Sequence, residues 1–301
     1  MYYTTTQRIP RWVISLAIFS VFIAATWGQS RRPKIFISVD MEGISGIGTS
    51  KMTGSGGKDY ATGRRLMTND VLSVIEAILE RSPAEILVND SHGDMQNLLH
   101  TELPAGVTYI QGNIKPLGMV QGLDDSFDGV IFLGYHARAG TPDGFLAHTG
   151  SGSVKGLWLN GTEVGEGGLN AALAGSLGVP VILAAGDLVF TQQIQERIQP
   201  LVVPTKESIG ALSCMLYPLD QVHDALRRTT REALIKLDSF KPWQMDGPIN
   251  VRIRFQSTAR PHVLQAIPGV VREDGYTVRF QAKDMTEAYQ LIRLMYKYVT
   301  V

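Results

Sequence analysis

Five acidic and histidine side chains stand at or just past the ends of hydrophobic runs in this 301-residue chain. They are Asp40 and Glu42 after residues 35–39, His92 after 86–88, His136 after 130–133, and Glu166 in a glycine-rich turn after 157–159. Ligands of open α/β sheets bind beyond the carboxyl ends of the strands, so we expect these groups to converge. Carboxylates and imidazoles bind zinc, and a shared aspartate suits a pair of zinc ions. The pattern therefore predicts a metallohydrolase.

Each of these side chains also has a simpler interpretation when it is considered alone. Asp40 could cap a helix after a buried strand, and His92 could cap a helix or bind a phosphate. His136 could be a hydrogen-bonded histidine under a loop, and Glu166 could favour a first helical turn through the helix dipole. The coincidence of all of them at one predicted sheet edge favours the metal site.

Two local patterns add to the metal hypothesis. Asp40 and Glu42 are two residues apart, and on a strand such residues share a face, so both carboxylates could face one site. Asp90 precedes His92 by two residues and could hydrogen-bond a metal-bound imidazole. We therefore expect a carboxylate partner behind His92.

His148 is the candidate catalytic residue. It lies beyond a glycine-containing loop at 139–144, and that position suits a side chain brought over a metal-bound substrate. A histidine there could act as an acid, a base or a nucleophile. The alternative is a histidine on a surface loop.

Other catalytic motifs are absent from the sequence. The glycine-rich stretch around Lys58 lacks the phosphate-loop pattern, since Met52 replaces its first glycine and Asp59 its final Ser or Thr. There is no GxSxG nucleophile elbow and no HExxH helix. Lys58 could still bind a substrate carboxylate, or it could be a solvated loop lysine.

Composition narrows the classes of partner. The formal net charge is zero, which gives no indication of a nucleic-acid partner. The single cysteine, Cys214, excludes an internal disulfide and CxxC metal sites. Its apolar neighbours indicate a small buried residue rather than a nucleophile.

Short apolar runs alternate with helical stretches from residue 34, which predicts an α/β fold with a mostly parallel sheet flanked by helices. Predicted strands cover 34–40, 84–89, 107–111, 128–135, 154–159 and 179–185, and predicted helices cover 59–81, 170–177 and 193–198. Beyond residue 204 we predict a helix at 216–237, a strand at 249–255, a hairpin at 270–280 that turns at Asp274-Gly275, and a helix at 285–298 capped by Thr286. These elements predict a metal-binding α/β domain at 31–204 and a smaller C-terminal α+β lobe at 205–301.

Residues 1–30 have the pattern of a signal peptide. Arg8 and Arg11 precede an apolar run at 12–25, and small residues follow as far as Gly28. The alternative is an uncleaved anchor in the inner membrane formed by residues 12–27, although the run is short for a span of about 20 residues. We expect an exported protein, periplasmic or secreted, that contacts the membrane only if this segment is uncleaved.

Five motifs of the chain resemble the DppA-type zinc-dependent D-aminopeptidase family. In chain order they are SVDMEGISG at 38–46, VNDSHGDMQNL at 88–98, GYHARA at 134–139 with LAHT at 146–149, VGEGGLN at 164–170, and FQAKDMTEAY at 280–289. The likeness runs from about 34 to 298 without large gaps. It implies that the predicted metal site is the active site of a peptidase.

The resemblance also implies roles for the candidate ligands. Asp40 would bridge two zinc ions per chain. Glu42 and His136 would complete one metal site, and His92 and Glu166 would complete the other. His148 would be the catalytic residue, either as the family's nucleophile or as an acid/base.

Members of this family remove N-terminal D-amino acids from short peptides such as D-Ala-D-Ala, and the resemblance implies a ring-shaped homodecamer. Two departures stand out: the signal-like segment, and Gly210-Ala211 at a place where many relatives carry an arginine. Two other functions stay open at this point. One is a metal-dependent amidase or esterase on another small substrate, and the other is a non-catalytic periplasmic peptide-binding module.

Overall fold

The computed structural model describes residues 1–5 and 31–301, and residues 32–301 form one compact unit. The predicted signal peptide lies almost entirely outside the described residues. Within the described ranges, no helix combines the length and the apolar character that crossing a membrane requires.

The described part of the chain contains twelve β-strands. They are β1 (Lys34–Val39), β2 (Glu85–Asp90), β3 (Val107–Ile110), β4 (Gly129–Tyr135), β5 (Val154–Leu159), β6 (Thr162–Glu163), β7 (Val181–Asp187), β8 (Leu201–Gly210), β9 (Ser213–Leu216), β10 (Ile249–Phe255), β11 (Val271–Arg272) and β12 (Thr277–Ala282). The main sheet has the order β3-β2-β1-β4-β7-β8-β9, and only the β8–β9 pair is antiparallel. The predicted mostly parallel sheet is confirmed.

Helices cover both faces of the main sheet. They are α1 (Tyr60–Arg81), α2 (Glu166–Ser176), α3 (Leu188–Gln195) and α4 (Leu219–Ile235). Two further helices, α5 (Ala259–Leu264) and α6 (Met285–Arg293), pack against a second sheet, and α6 continues as a π-helical turn (Leu294–Tyr298). Alternate residues of β1 point to opposite faces. Ile35 and Ile37 pack with Val71 of α1 and Leu226 of α4, whereas Phe36 belongs to the core on the other face. Burial on both faces explains why β1, β4 and β7 are almost wholly apolar.

A second, antiparallel sheet has the order β11-β12-β10-β5-β6. The run at 154–159 therefore does not end at the same sheet edge as the other three runs, and that prediction was wrong. A short buried run does not reveal which sheet it joins. The predicted boundary between residues 204 and 205 falls inside β8, and each sheet takes strands from both sides of it. The division into two domains stays a prediction.

Several element boundaries differ from the predictions for local reasons. Helix α2 begins at Glu166 rather than at residue 170, with Gly165 in the N-cap position. Asp284, rather than Thr286, caps α6 through a side-chain oxygen that accepts from the Glu287 N–H. The strand β8 was not predicted, because Pro204 interrupts its pattern and proline normally argues against a strand.

Candidate metal centre

Directly after β1 the chain forms a turn that is hydrogen-bonded to β4, and this turn contains Asp40 and Glu42. The Asp40 N–H donates to the Leu133 carbonyl at 2.8 Å, and the Gly43 N–H donates to the Gly134 carbonyl at 2.8 Å. A Cβ on Gly43 would lie 1.8 Å from the Tyr135 carbonyl oxygen, so only glycine allows this approach. Asp40 and Glu42 lie beyond the strand rather than on its face, yet both are buried at the same site.

The His92 ring lies between a backbone carbonyl and the two carboxylates. Its Nε2 is 2.6 Å from the Thr53 carbonyl oxygen, which can only accept, so Nε2 carries the hydrogen. Its Nδ1 lies 3.1 Å from Asp40 Oδ1 and 2.9 Å from Glu42 Oε2. An imidazole fixed in this way through its other nitrogen is the usual arrangement of a metal-bound histidine.

Asp90 does not contact the His92 ring, so that prediction was wrong. Its carboxylate accepts from Asn97 and Leu98 N–H groups and from the Tyr109 hydroxyl. The Asn97 side chain also donates to the His92 carbonyl oxygen at 2.7 Å. Asp90 therefore orders the loop that carries His92, while the Thr53 carbonyl takes the place expected for a carboxylate.

His136 follows β4, and like His92 it contacts a backbone carbonyl with one ring nitrogen and faces the carboxylates with the other. Its Nδ1 donates to the Ala137 carbonyl at 3.0 Å, which leaves Nε2 with a free lone pair. That Nε2 lies 3.4 Å from Asp40 Oδ2 and 3.6 Å from Glu166 Oε2. The two histidines thus approach Asp40 through different oxygens.

Glu166 reaches the site from the first turn of α2. Its Oε1 accepts from the Gly150 N–H at 2.6 Å and lies 3.5 Å from His148 Nε2. The His148 ring stacks on His136, with centroids 4.1 Å apart and planes 16° from parallel. The structure therefore brings the predicted catalytic histidine and all the predicted ligands together.

The donor set fits metal ions. Asp40 Oδ2, Glu42 Oε2 and His136 Nε2 are buried and have no hydrogen-bond partner among the described residues. Glu42 Oε2 also lies 2.9 Å from His92 Nδ1, which is an ion pair when that ring is protonated. Buried polar atoms without hydrogen-bond partners are costly unless a cation joins them.

Two ligand groups share Asp40. Within each group the ligand atoms lie within 4.8 Å of one another: one group is Asp40, Glu42 and His92, and the other is Asp40, His136 and Glu166. A third group of Glu42, His136 and His148 overlaps both. The first two groups exchange the partners that the family resemblance implied, since His92 lies with Glu42 and His136 lies with Glu166.

The electrostatics show how strongly this site favours positive charge. Burial would lower the pKa of both His92 and His136, but the carboxylates raise each pKa well above its ordinary value. Burial would likewise raise the pKa of Glu166, yet His136 and His148 hold it at about 2. Burial and the charge of Glu42 together raise the pKa of Asp40. The negative charge of the carboxylates thus favours protonated histidines at this site, and a metal cation would be stabilised by the same carboxylates.

Lys206 supports the turn from behind and was missed at the sequence level. Its Nζ is fully buried and donates to the Glu42 carbonyl at 2.6 Å and the Ile47 carbonyl at 2.7 Å. Burial lowers the pKa of Lys206 to about 8. The only sequence signal was a lysine inside an unrecognised strand. Lys58, by contrast, is exposed, and its Nζ lies 3.9 Å from Asp59 Oδ2.

The position where relatives were expected to carry an arginine lies at the end of β8. The Ala211 carbonyl there accepts from the Leu146 N–H at 2.9 Å, and the Leu146 carbonyl in turn accepts from His148 Nδ1 at 2.9 Å. Ala211 therefore supports the loop of His148 through its backbone carbonyl, and neither Gly210 nor Ala211 offers a cation.

Comparison with known proteins agrees with this geometry. Residues 34–294 match the model of a peptidase family described as D-aminopeptidase, family M55. A D-aminopeptidase of Bacillus subtilis (strain 168) is 38% identical over 265 residues, which cover 87% of this chain and 96% of that protein. A solved structure, the Zn-dependent D-aminopeptidase DppA from Bacillus subtilis, described as a self-compartmentalizing protease, superposes with a TM-score of 0.84. It has 38% identity to this chain and matches 87% of this chain and 96% of its own.

Proposed function

We propose that this chain, which belongs to the D-aminopeptidase family and is a metallo-aminopeptidase, removes N-terminal D-amino acids from short peptides such as D-Ala-D-Ala. We propose that the reaction uses two zinc ions per chain. The observation that carries the proposal is the Asp40 carboxylate, which belongs to two groups of ligand atoms, three of which are buried without a hydrogen-bond partner among the described residues. One zinc ion would be held by Asp40, Glu42 and His92, and the other by Asp40, His136 and Glu166. Bound zinc lowers the pKa of water and polarises a carbonyl oxygen.

The chain's own contribution to the reaction is proton transfer and positioning by His148. Its Nδ1 donates to the Leu146 carbonyl at 2.9 Å, which fixes the ring and leaves Nε2 as the basic atom. Nε2 lies beside Glu166, and the side chain is 28% exposed, so a substrate can reach it. We propose that Nε2 holds the proton that the departing amine needs, or attacks as the nucleophile.

We further propose that copies of the chain assemble into a ring, a homodecamer by family resemblance. The β8–β9 hairpin carries apolar side chains in solvent: Ile209 is 66% exposed, Leu212 75% and Met215 49%. An exposed apolar group of this kind marks an association surface. The similar protein is described as self-compartmentalizing. A closed assembly would restrict entry to short peptides.

Location is the remaining part of the proposal. The basic and apolar pattern of residues 1–30 supports export, so the substrates would be extracytoplasmic short peptides. Retention by an uncleaved segment at 12–27 is the alternative. Signal cleavage is measured by the N-terminal sequence of the protein purified from its host.

The decisive experiment compares D-Ala-D-Ala with L-Ala-L-Ala as substrates of the purified chain from residue 29 onward, with zinc counted in the same sample. We expect alanine release from the D-peptide only, with two zinc ions per chain. Hydrolysis of L-Ala-L-Ala at an equal rate would contradict the stereospecificity, and zinc without release from either peptide would point to another amide or ester.

A further inference from the structure

The cavity beside the metal ligands has a second wall of opposite charge. It measures ≈ 100 Å³, and one side is lined by Asp40, His92, His148 and Glu166. The other side is lined by Arg293, Tyr296 and Lys297, from the end of α6 and the π-helical turn.

Arg293 is a buried cation without a carboxylate partner in the described part of the chain. It is 2% exposed, and its Nε has no hydrogen-bond partner within residues 1–5 and 31–301. Its nearest acceptors are the hydroxyl oxygens of Tyr296 at 3.4 Å and Tyr298 at 3.3 Å, which are long contacts. Burying a guanidinium without an anion is costly. The fold therefore keeps an unpaired donor group at the wall of the active-site cavity.

Two glycines allow Arg293 and Tyr296 to pack closely at this side of the cavity. A Cβ on Gly118 would lie 2.0 Å from Arg293 Nη1, and a Cβ on Gly150 would lie 2.5 Å from Tyr296 Cζ. Both glycines have a positive φ. Gly150 also donates its N–H to Glu166, so the same loop supports the ligand side and the basic side of the cavity.

We propose that Arg293 binds the C-terminal carboxylate of the short peptide substrate, with Lys297 adding positive charge beside it. A guanidinium binds a carboxylate through two parallel hydrogen bonds, and such charge-assisted bonds are the strong ones. Lys297 is already held by its Nζ, which donates to the Gly93 carbonyl at 2.9 Å. Arg293 thus selects substrates by length. When the C-terminal carboxylate of a peptide is bound to Arg293, its scissile amide lies at the metal ligands only if the peptide is short.

This inference rests on the proposed function, and its test compares D-Ala-D-Ala with D-alanyl-D-alaninamide. The two peptides differ only at the C-terminal group that Arg293 would bind. For the native chain we expect kcat/KM to be on the order of 10- to 100-fold higher for the free carboxylate, mainly through KM. Arg293→Met should bring this ratio close to one, with the loss falling on D-Ala-D-Ala. Arg293→Lys keeps the charge without the paired geometry and should restore part of the ratio.

Arg260→Met is the matched control. Arg260 is also largely buried, and its Nη1 donates to the Tyr296 carbonyl at 3.0 Å, yet it does not line the cavity. We expect this variant to keep the native preference for the carboxylate. A structural role for buried arginines near the π-helical turn would instead make both methionine variants behave alike.

Three results would overturn the inference. Equal kcat/KM for the acid and the amide in the native chain would do so, as would an equal loss on both peptides in Arg293→Met. If that variant does not fold, an unchanged native ratio in Arg293→Lys decides against the paired contact. Hydrolysis of neither peptide by the zinc-loaded native chain is a different result, because it would contradict the proposed function itself.

Discussion

At the scale of single residues, Asp40 is the one ligand shared by both proposed zinc sites. Asp40→Asn removes the charge while keeping the shape, so we expect both ions to be lost. Glu166→Gln is the matched comparison, because Glu166 belongs to one group only and one ion should remain. Zinc per folded chain, measured by atomic absorption after gel filtration, checks the prediction. Two zinc ions in Asp40→Asn would remove Asp40 as the bridge.

His148 is predicted to act on the substrate rather than to hold zinc. His148→Ala should keep its zinc and lose about 10²- to 10⁴-fold in kcat on D-Ala-D-Ala, which is the usual contribution of a proton-transfer residue. His262→Ala, an exposed substitution on α5, serves as the control and should change nothing. Loss of zinc in His148→Ala would indicate a ligand, and native turnover would exclude the catalytic role.

The sequence identified the residues at this site better than their contacts. Carboxylates and imidazoles after apolar runs predicted a common site, and the structure brings them together. The predicted contact between Asp90 and His92 is not formed, because residues close in sequence need not be in contact across a turn. The Thr53 carbonyl that contacts His92 instead could not be predicted, since every residue has a backbone carbonyl. Arg293 could not be singled out, since an arginine in an amphipathic helix usually lies in solvent. Its burial is seen only in the folded chain, where Gly118 packs against the guanidinium and the residue is 2% exposed.

At the scale of elements, the turn after β1 depends on backbone contact with β4. Gly43→Ala would force a Cβ into the Tyr135 carbonyl, so we expect a loss of about 1–3 kcal/mol in the free energy of unfolding and weaker zinc binding. Gly56→Ala is the control, because nothing lies within 4 Å of its added Cβ and its φ is not positive. Urea unfolding and zinc titration measure both effects. If Gly43→Ala has the same free energy of unfolding as the native chain, the turn can shift to accommodate the added Cβ.

Elements were predictable where one physical rule decided them. The strands at 34–39 and 129–135 agree closely with prediction, since burial on both faces leaves a continuous apolar run. The same rule could not assign 154–159 to a sheet, because pairing partners lie far away in sequence: β5 pairs with β10. Helix α2 was predicted to start late because its first turn, Glu166-Gly167-Gly168, contains weak helix formers.

At the scale of the whole molecule, the exposed β8–β9 hairpin is predicted to hold the assembly together. Leu212→Glu places a charge in that apolar surface and should dissociate the oligomer to smaller species. Ile114→Glu is the control, because Ile114 is 77% exposed but lies outside the hairpin. Light scattering after size exclusion measures the mass. An unchanged mass in Leu212→Glu would exclude the hairpin as the interface.

The cavity walls come from distant parts of the chain: Asp40 follows the first strand, and Arg293 and Lys297 lie in the last helical segment. A ribosome must therefore have added residue 297 before the cavity can close. Until then, the nascent polypeptide has its acidic wall without the basic one. The cavity is consequently complete only after synthesis has passed the last helical segment.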